Sequence, residues 1–177
     1  KTAIAYTSII PVHRLDNAID YTLEEKKCSR RENEESLEGE IDKALNKDKT
    51  EQDLFASALG CTCETAFQDM CRVKEMWHKE EGVQGFHLVQ SFAAGEVTPE
   101  LAHQIGLEFA DRLLGGNFQA VVSTHLNTKC IHNHIVWNSV SMKSGRKYRS
   151  NERTYVTQVR QISDELCRKH GLSVIHT

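Results

Sequence analysis

The chain has 177 residues, 39% hydrophobic and 27% charged, with a formal net charge of -3. That suits one globular domain with a single core, excludes a collagen, a coiled coil or a disordered tail, and includes no apolar run near the ~18 residues of a membrane span. The charge is unevenly placed, with eleven acids against seven bases from Glu24 to Asp53 but five bases against one acid from Lys143 to Arg153.

In chain order, Lys1 to Ile10 is β-branched and aromatic and predicts a strand ended by Pro11. Leu15, Ala18, Ile19, Thr22 and Leu23 then recur at helical spacing. Leu37, Ile41 and Leu45 echo that pattern after a charged loop from Ser29 to Glu35. Cys63 to Glu81 predicts a helix, with Phe67, Met70, Cys71, Lys74 and Trp77 at helical spacing. Gly82 and Gly85 break it before a strand from Phe86 to Phe92. Thr98 and Pro99 are an N-cap and first-turn pair, opening a helix that runs to Leu114 before Gly115-Gly116. Phe118 to His125 and Ile131 to Val140 predict a hairpin, Ser144-Gly145 a turn, and Glu152 to His170 a closing helix ended by Gly171. The order β-α-α-α-β-α-β-β-α predicts an α+β domain, a central antiparallel sheet flanked by helices.

Six cysteines in a chain of this length predict reduced thiols of a cytoplasmic protein rather than a disulfide scaffold. Cys61 and Cys63 lack the second cluster that a structural zinc site needs. The nine histidines are more informative. His132 and His134 are two apart in a predicted strand, so both leave the same face. His125 ends the preceding strand of the hairpin and is expected opposite them. Three neutral imidazoles keep the full charge of a divalent ion and leave coordination positions open, which suits Lewis-acid work on a phosphate. Asn138 shares that face. On the first predicted helix, Tyr21 falls roughly 240° from Leu15 at the helical rotation per residue, off the apolar stripe, so its phenol is free to face a cleft.

His125 with His132-Asn133-His134 and Asn138 resembles the HxDxxxxHxHxxxN motif of relaxases, the mobilisation nucleases of conjugative plasmids and integrative elements. These belong to the His-hydrophobic-His endonuclease superfamily. The segments RLDNAIDY (from Arg14), HLVQSFAAGEVTPELAHQIG (from His87) and SDELCRKHGLSVI (from Ser163) also resemble relaxase segments. The resemblance spans nearly the whole chain, except the acidic stretch of about residues 24–53, which looks like an elaboration. Two positions depart from the motif. Asn127 stands where the family has an acid, and an amide cannot take up a proton. Asn133 stands where an apolar residue is usual, which is compatible with a strand whose other face is less deeply buried.

The resemblance implies one nicking-joining domain over residues 1–177, the N-terminal part of a longer protein. It implies Tyr21 as nucleophile, with Glu96 and Asn127 assisting, and His125, His132 and His134 holding Mg²⁺ or Mn²⁺ (Zn²⁺ or Ni²⁺ as bound after purification). Ser91, Asn138, Lys143, Arg146, Lys147, Arg149 and Arg153 are the candidate DNA contacts, with Trp137 and Tyr148 as stacking partners. His87 is expected to support the site rather than ligate, and His13 is an alternative nucleophile. The implied partners are single-stranded DNA at a transfer origin, relaxosome accessory proteins and a type IV secretion coupling protein. The protein is expected as a monomer in the bacterial cytoplasm, without membrane insertion, and carried into the recipient attached to DNA. Two rivals remain. A rolling-circle initiator or single-strand transposase of the same superfamily would use Tyr155; a non-catalytic module would hold metal and DNA alone.

Overall fold

Five strands pair antiparallel into one sheet: β1 (Tyr6–Val12), β2 (Ala56–Leu59), β3 (Gly85–Ser91), β4 (Ala120–His125) and β5 (His132–Asn138). Their order is β1-β3-β5-β4-β2, which puts the histidine hairpin at the centre. The computed structural model describes residues 6–12, 36–45, 55–126 and 129–174. Tyr21 and its predicted helix, His13 and Asn127 lie outside the described residues.

Alternation along the strands gives the sheet two different faces. Phe86, Leu88, Ala120, Val122, Ile135 and Trp137 point to one of them. There they meet α3 (Pro99–Leu114) and the C-terminal helix, α4, spanning residues 152–169. Val121 and Val136 point to the other face, which is covered by α1 (Leu37–Ala44) and α2 (Ala66–Met76). Among the described residues, no helix is long and apolar enough to cross a membrane.

Several elements differ from expectation for identifiable reasons. Pro11 does not end β1 but sits inside it; β1 is an edge strand, where a missing N–H need not leave a gap in the ladder. The strand β2 was not anticipated, because ASAL is four half-buried residues with no apolar alternation. The helix predicted over Cys63 to Glu81 is shorter; it stops at Trp77, and His78 takes a φ of 52°. The last helix opens at Glu152–Thr154, widens to π-helix over Tyr155–Arg160, and becomes regular over Gln161–Lys169.

Candidate metal centre and active site

In the β4–β5 pair His125 stands directly opposite His132, and Ser123 opposite His134. Opposed residues share a face, so the three imidazoles leave the sheet together on the side of α1. Their ring centroids are 4.2 to 5.3 Å apart, and donor nitrogens of all three lie within 4.8 Å of one another. Among the described residues this is the one group of three or more His, Cys, Asp or Glu side chains gathered closely enough to hold a metal ion. Three nitrogen donors, one ring buried and two half-buried, fit a divalent cation that keeps an exposed side.

Each ring is also held through a second nitrogen. His125 Nε2 donates to the Ala44 carbonyl at 2.8 Å, and His132 Nδ1 to the Cys130 carbonyl at 3.1 Å. A carbonyl accepts only from an N–H, so the lone pair falls on Nδ1 of His125 and Nε2 of His132. His134 Nδ1 meets His87 Nε2 at 2.7 Å, and His87 Nδ1 in turn pairs with the Glu40 carboxylate. Ser91 is the cross-strand neighbour of His132 and leaves the sheet on the same face.

The opposite face carries an unbroken line of polar contacts directly behind the imidazoles. Ser57 meets His103 at 2.8 Å, and His103 meets Thr124 at 3.0 Å. Thr124 donates to Asn133 at 2.7 Å, Asn133 to Gln90 at 3.2 Å, and Gln90 to Ser163 at 2.8 Å. Asn133 also donates to the Ala102 carbonyl at 2.7 Å. The expectation of a shallow far face at Asn133 is therefore corrected: Asn133 is fully buried and its polarity is matched by partners. Burial also pulls the His103 pKa below its usual value, so this ring is held neutral in the line.

Other expected site residues lie elsewhere. Glu96 is tied by both carboxylate oxygens to Ser173, just beyond α4, on the layer opposite the imidazoles. Asn138 ends β5 about 20 Å from His132 at a strand's rise per residue. It is fully buried, accepting from Lys74 and donating to the Met70 carbonyl and Gln119, so it is not placed to touch DNA. Lys147 is likewise occupied, donating to the carbonyls of Glu81 and Val83 at 2.8 and 2.9 Å. Lys143, Arg146, Arg149 and Arg153 are exposed, at the end of β5 away from the imidazoles. Trp137 is fully buried, and Tyr148 packs on Phe86, Phe118 and Trp137, its phenol pushed up to about 12 by burial. Neither is a stacking platform for a base. Tyr155 packs into the α3–α4 core, across the sheet from the imidazoles, which counts against the rival that uses it.

Sequence reasoning missed Glu40, Thr124, Gln90 and His103. Glu40 was hidden inside an acidic run; the signal for the others was polarity at strand and helix positions whose period pointed inward.

Comparisons with known proteins agree with this geometry. The nuclease-domain family of MobA/VirD2-like relaxases matches residues 37–172, so α1 falls inside the matched region although it lies in the acidic stretch. A Staphylococcus aureus protein named rlx is 42% identical over 118 residues, covering 67% of this chain and 37% of that protein. The group II intron-interrupted relaxase LtrB of Lactococcus lactis subsp. cremoris (strain MG1363) is 31% identical over 114 residues, 57% of this chain and 20% of the relative. The chain thus spans little more than a third of the length of the rlx relatives it matches. A structure solved in work on the molecular basis of vancomycin resistance transfer in Staphylococcus aureus shares the fold, with a TM-score of 0.54 and 12% identity over 97% of this chain and 96% of that one.

Proposed function

The chain belongs to the MobA/VirD2-like relaxase family, in its nuclease domain, and from that premise we propose that it nicks and rejoins one DNA strand at a transfer origin. The observation that carries the reading is the trio of imidazoles on adjacent central strands, their donors within 4.8 Å. In the proposed reaction the Tyr21 oxygen bonds to phosphorus as the P–O3′ bond breaks. The products are a 5′-phosphotyrosyl adduct and a 3′-hydroxyl; the phenolic proton leaves to a base and the departing oxygen takes one up. The adduct conserves the phosphodiester, so the reverse attack by a 3′-hydroxyl rejoins the strand without ATP.

A phenol with a pKa near ~10 is a weak nucleophile at neutral pH. A divalent cation held by His125, His132 and His134, Mg²⁺ or Mn²⁺ in the cell, supplies charge neutralisation at the phosphate. Ser91 is proposed to hydrogen-bond a phosphate oxygen beside His132. Asn127 orients rather than accepts a proton, and Glu96, engaged by Ser173, is set aside as the base. The reading extends to a single nicking-joining domain of a longer mobilisation protein. It acts in the bacterial cytoplasm as a monomer with accessory proteins and a secretion coupling protein.

The test is covalent. With a single-stranded origin oligonucleotide and Mn²⁺, the wild type should attach to the 5′ end of the downstream fragment, with the adduct on Tyr21 by peptide mapping. Tyr21→Phe should lose the adduct while keeping the fold. An adduct that survives Tyr21→Phe and disappears in Tyr155→Phe would overturn the relaxase chemistry in favour of the replication or transposition rival.

A further inference from the structure

The acidic stretch that looked like an elaboration supplies a helix to the imidazole site. α1 is seated closely: Leu37 at its start is fully buried against β3, where a Cβ on Gly85 would fall 2.6 Å from Leu37 Cδ1 and 2.7 Å from the Trp137 carbonyl oxygen. Ser36 caps its start by accepting from the Gly39 N–H at 3.1 Å. From that seat, buried Glu40 reaches His87, and one turn later the Ala44 carbonyl receives His125 Nε2. Two of the three rings are therefore addressed from one eight-residue helix.

Given the metal reading above, on which this rests, we infer that Glu40 is a positioning residue for His134, acting through His87. The chemistry is a matter of which nitrogen carries each proton. A carboxylate accepts only, so the His87 nitrogen facing Glu40, Nδ1, is an N–H. A neutral His87 then has its lone pair on Nε2, which can only accept, and His134 Nδ1 at 2.7 Å must donate. That leaves the lone pair of His134 on Nε2. The bonds run Glu40 carboxylate, His87 imidazole, His134 imidazole. They fix the tautomer and rotation of His134 and raise its basicity, as a carboxylate does for a ligating histidine it touches directly. Here the carboxylate sits one ring further away. Lys43 Nζ lies 3.5 Å from the second Glu40 oxygen. The Ala44 carbonyl belongs to the helix C-terminus, whose partial negative charge also favours a cation nearby.

The experiment is a Co²⁺ titration followed by calorimetry and by the visible absorption of the bound ion. The proteins are wild type, Glu40→Gln, His87→Leu, His87→Gln, the Glu40→Gln/His87→Leu double variant, and His132→Ala. Glu40→Gln should weaken Co²⁺ binding about tenfold or more and shift the absorption bands. The Glu40→Gln effect should vanish in the His87→Leu background, because the connection is already cut. His87→Gln, whose amide oxygen can accept from His134 Nδ1, should bind more tightly than His87→Leu. Additive losses, or a Glu40→Gln protein indistinguishable from wild type, would overturn the relay while leaving the metal site intact. A wild type with no saturable binding, or a His132→Ala protein that binds like it, would overturn the metal reading and the relay with it. A measurement on unmutated protein guards against misfolded variants. Nitrogen-15 shifts of the metal-free wild type should show His134 protonated at Nδ1, and protonation at Nε2 would overturn the inference.

Discussion

Lys74 brings an amine into the layer between α2 and the sheet, where it is 1% exposed and bonded to Asn138. Burial pushes its pKa from 10.5 down to about 7, with Lys147 nearby adding repulsion. The folded value lies below the unfolded one. Between about pH 7 and 10.5 the unfolded chain therefore holds a proton that the folded chain lacks, and stability rises with pH across that window. Below it both states are charged, and the full cost of burying the ammonium remains. Lys74→Met should raise stability at pH 7, since the Val140 N–H still satisfies the Asn138 oxygen, and flatten the rise. Urea unfolding at pH 7, 8.5 and 10 checks this, and an unchanged slope would assign the effect to other groups. In the sequence the same lysine is one more member of a helical stripe. A buried position was legible there, but that it would face Asn138 was not, because the pairing joins residues 64 positions apart.

At the scale of elements, α3 approaches the sheet most closely at Gly106. A Cβ there would fall 2.7 Å from Asn133 Nδ2 and 3.1 Å from Val122 Cγ1. Alanine favours a helix interior over glycine by up to ~1 kcal/mol, yet overpacking costs about 1–3 kcal/mol, and the neighbour here is a fully hydrogen-bonded amide. Gly106→Ala should therefore lower the melting temperature and also weaken Co²⁺ binding, since Asn133 sits between two proposed ligands; thermal unfolding and titration of one preparation test both. The hairpin and its imidazoles were legible because their information is local: period two sets the face, and a short turn sets the opposition. The strand β2 and the use of α1 were not. β2 is held by partners in β4, more than sixty residues away, rather than by its own pattern, and Glu40 looks like any solvated acid until α1 is laid on Gly85.

Across the described residues, the exposed arginines that follow β5 are separated from the imidazoles. Arg146, Arg149 and Arg153 lie at the opposite end of β5 from the imidazoles, so a strand bound to both would cross the sheet lengthwise. Neutralising these three arginines should weaken single-stranded DNA binding and reduce the salt slope by about 0.7 for each phosphate left without its cation. Cleavage at saturating DNA should persist. Fluorescence anisotropy over a salt series measures this, and an unchanged slope would put the DNA path elsewhere. The polar line from Ser57 through His103, Thr124, Asn133 and Gln90 to Ser163 has its own consequence. A slip of one residue in β4 or β5 would turn the imidazoles away and strand buried partners in that line, at about 1–3 kcal/mol for each. The alignment of the donors is enforced from the side of the sheet an ion never reaches. The conformational cost of gathering them falls on folding rather than on ion capture, so a bound ion would add stability by mass action without being needed to form the fold, unlike a zinc finger that folds around its ion. An incoming cation would find a receptor already in shape, and discrimination among cations would rest on their ligand preferences rather than on an adjusting protein.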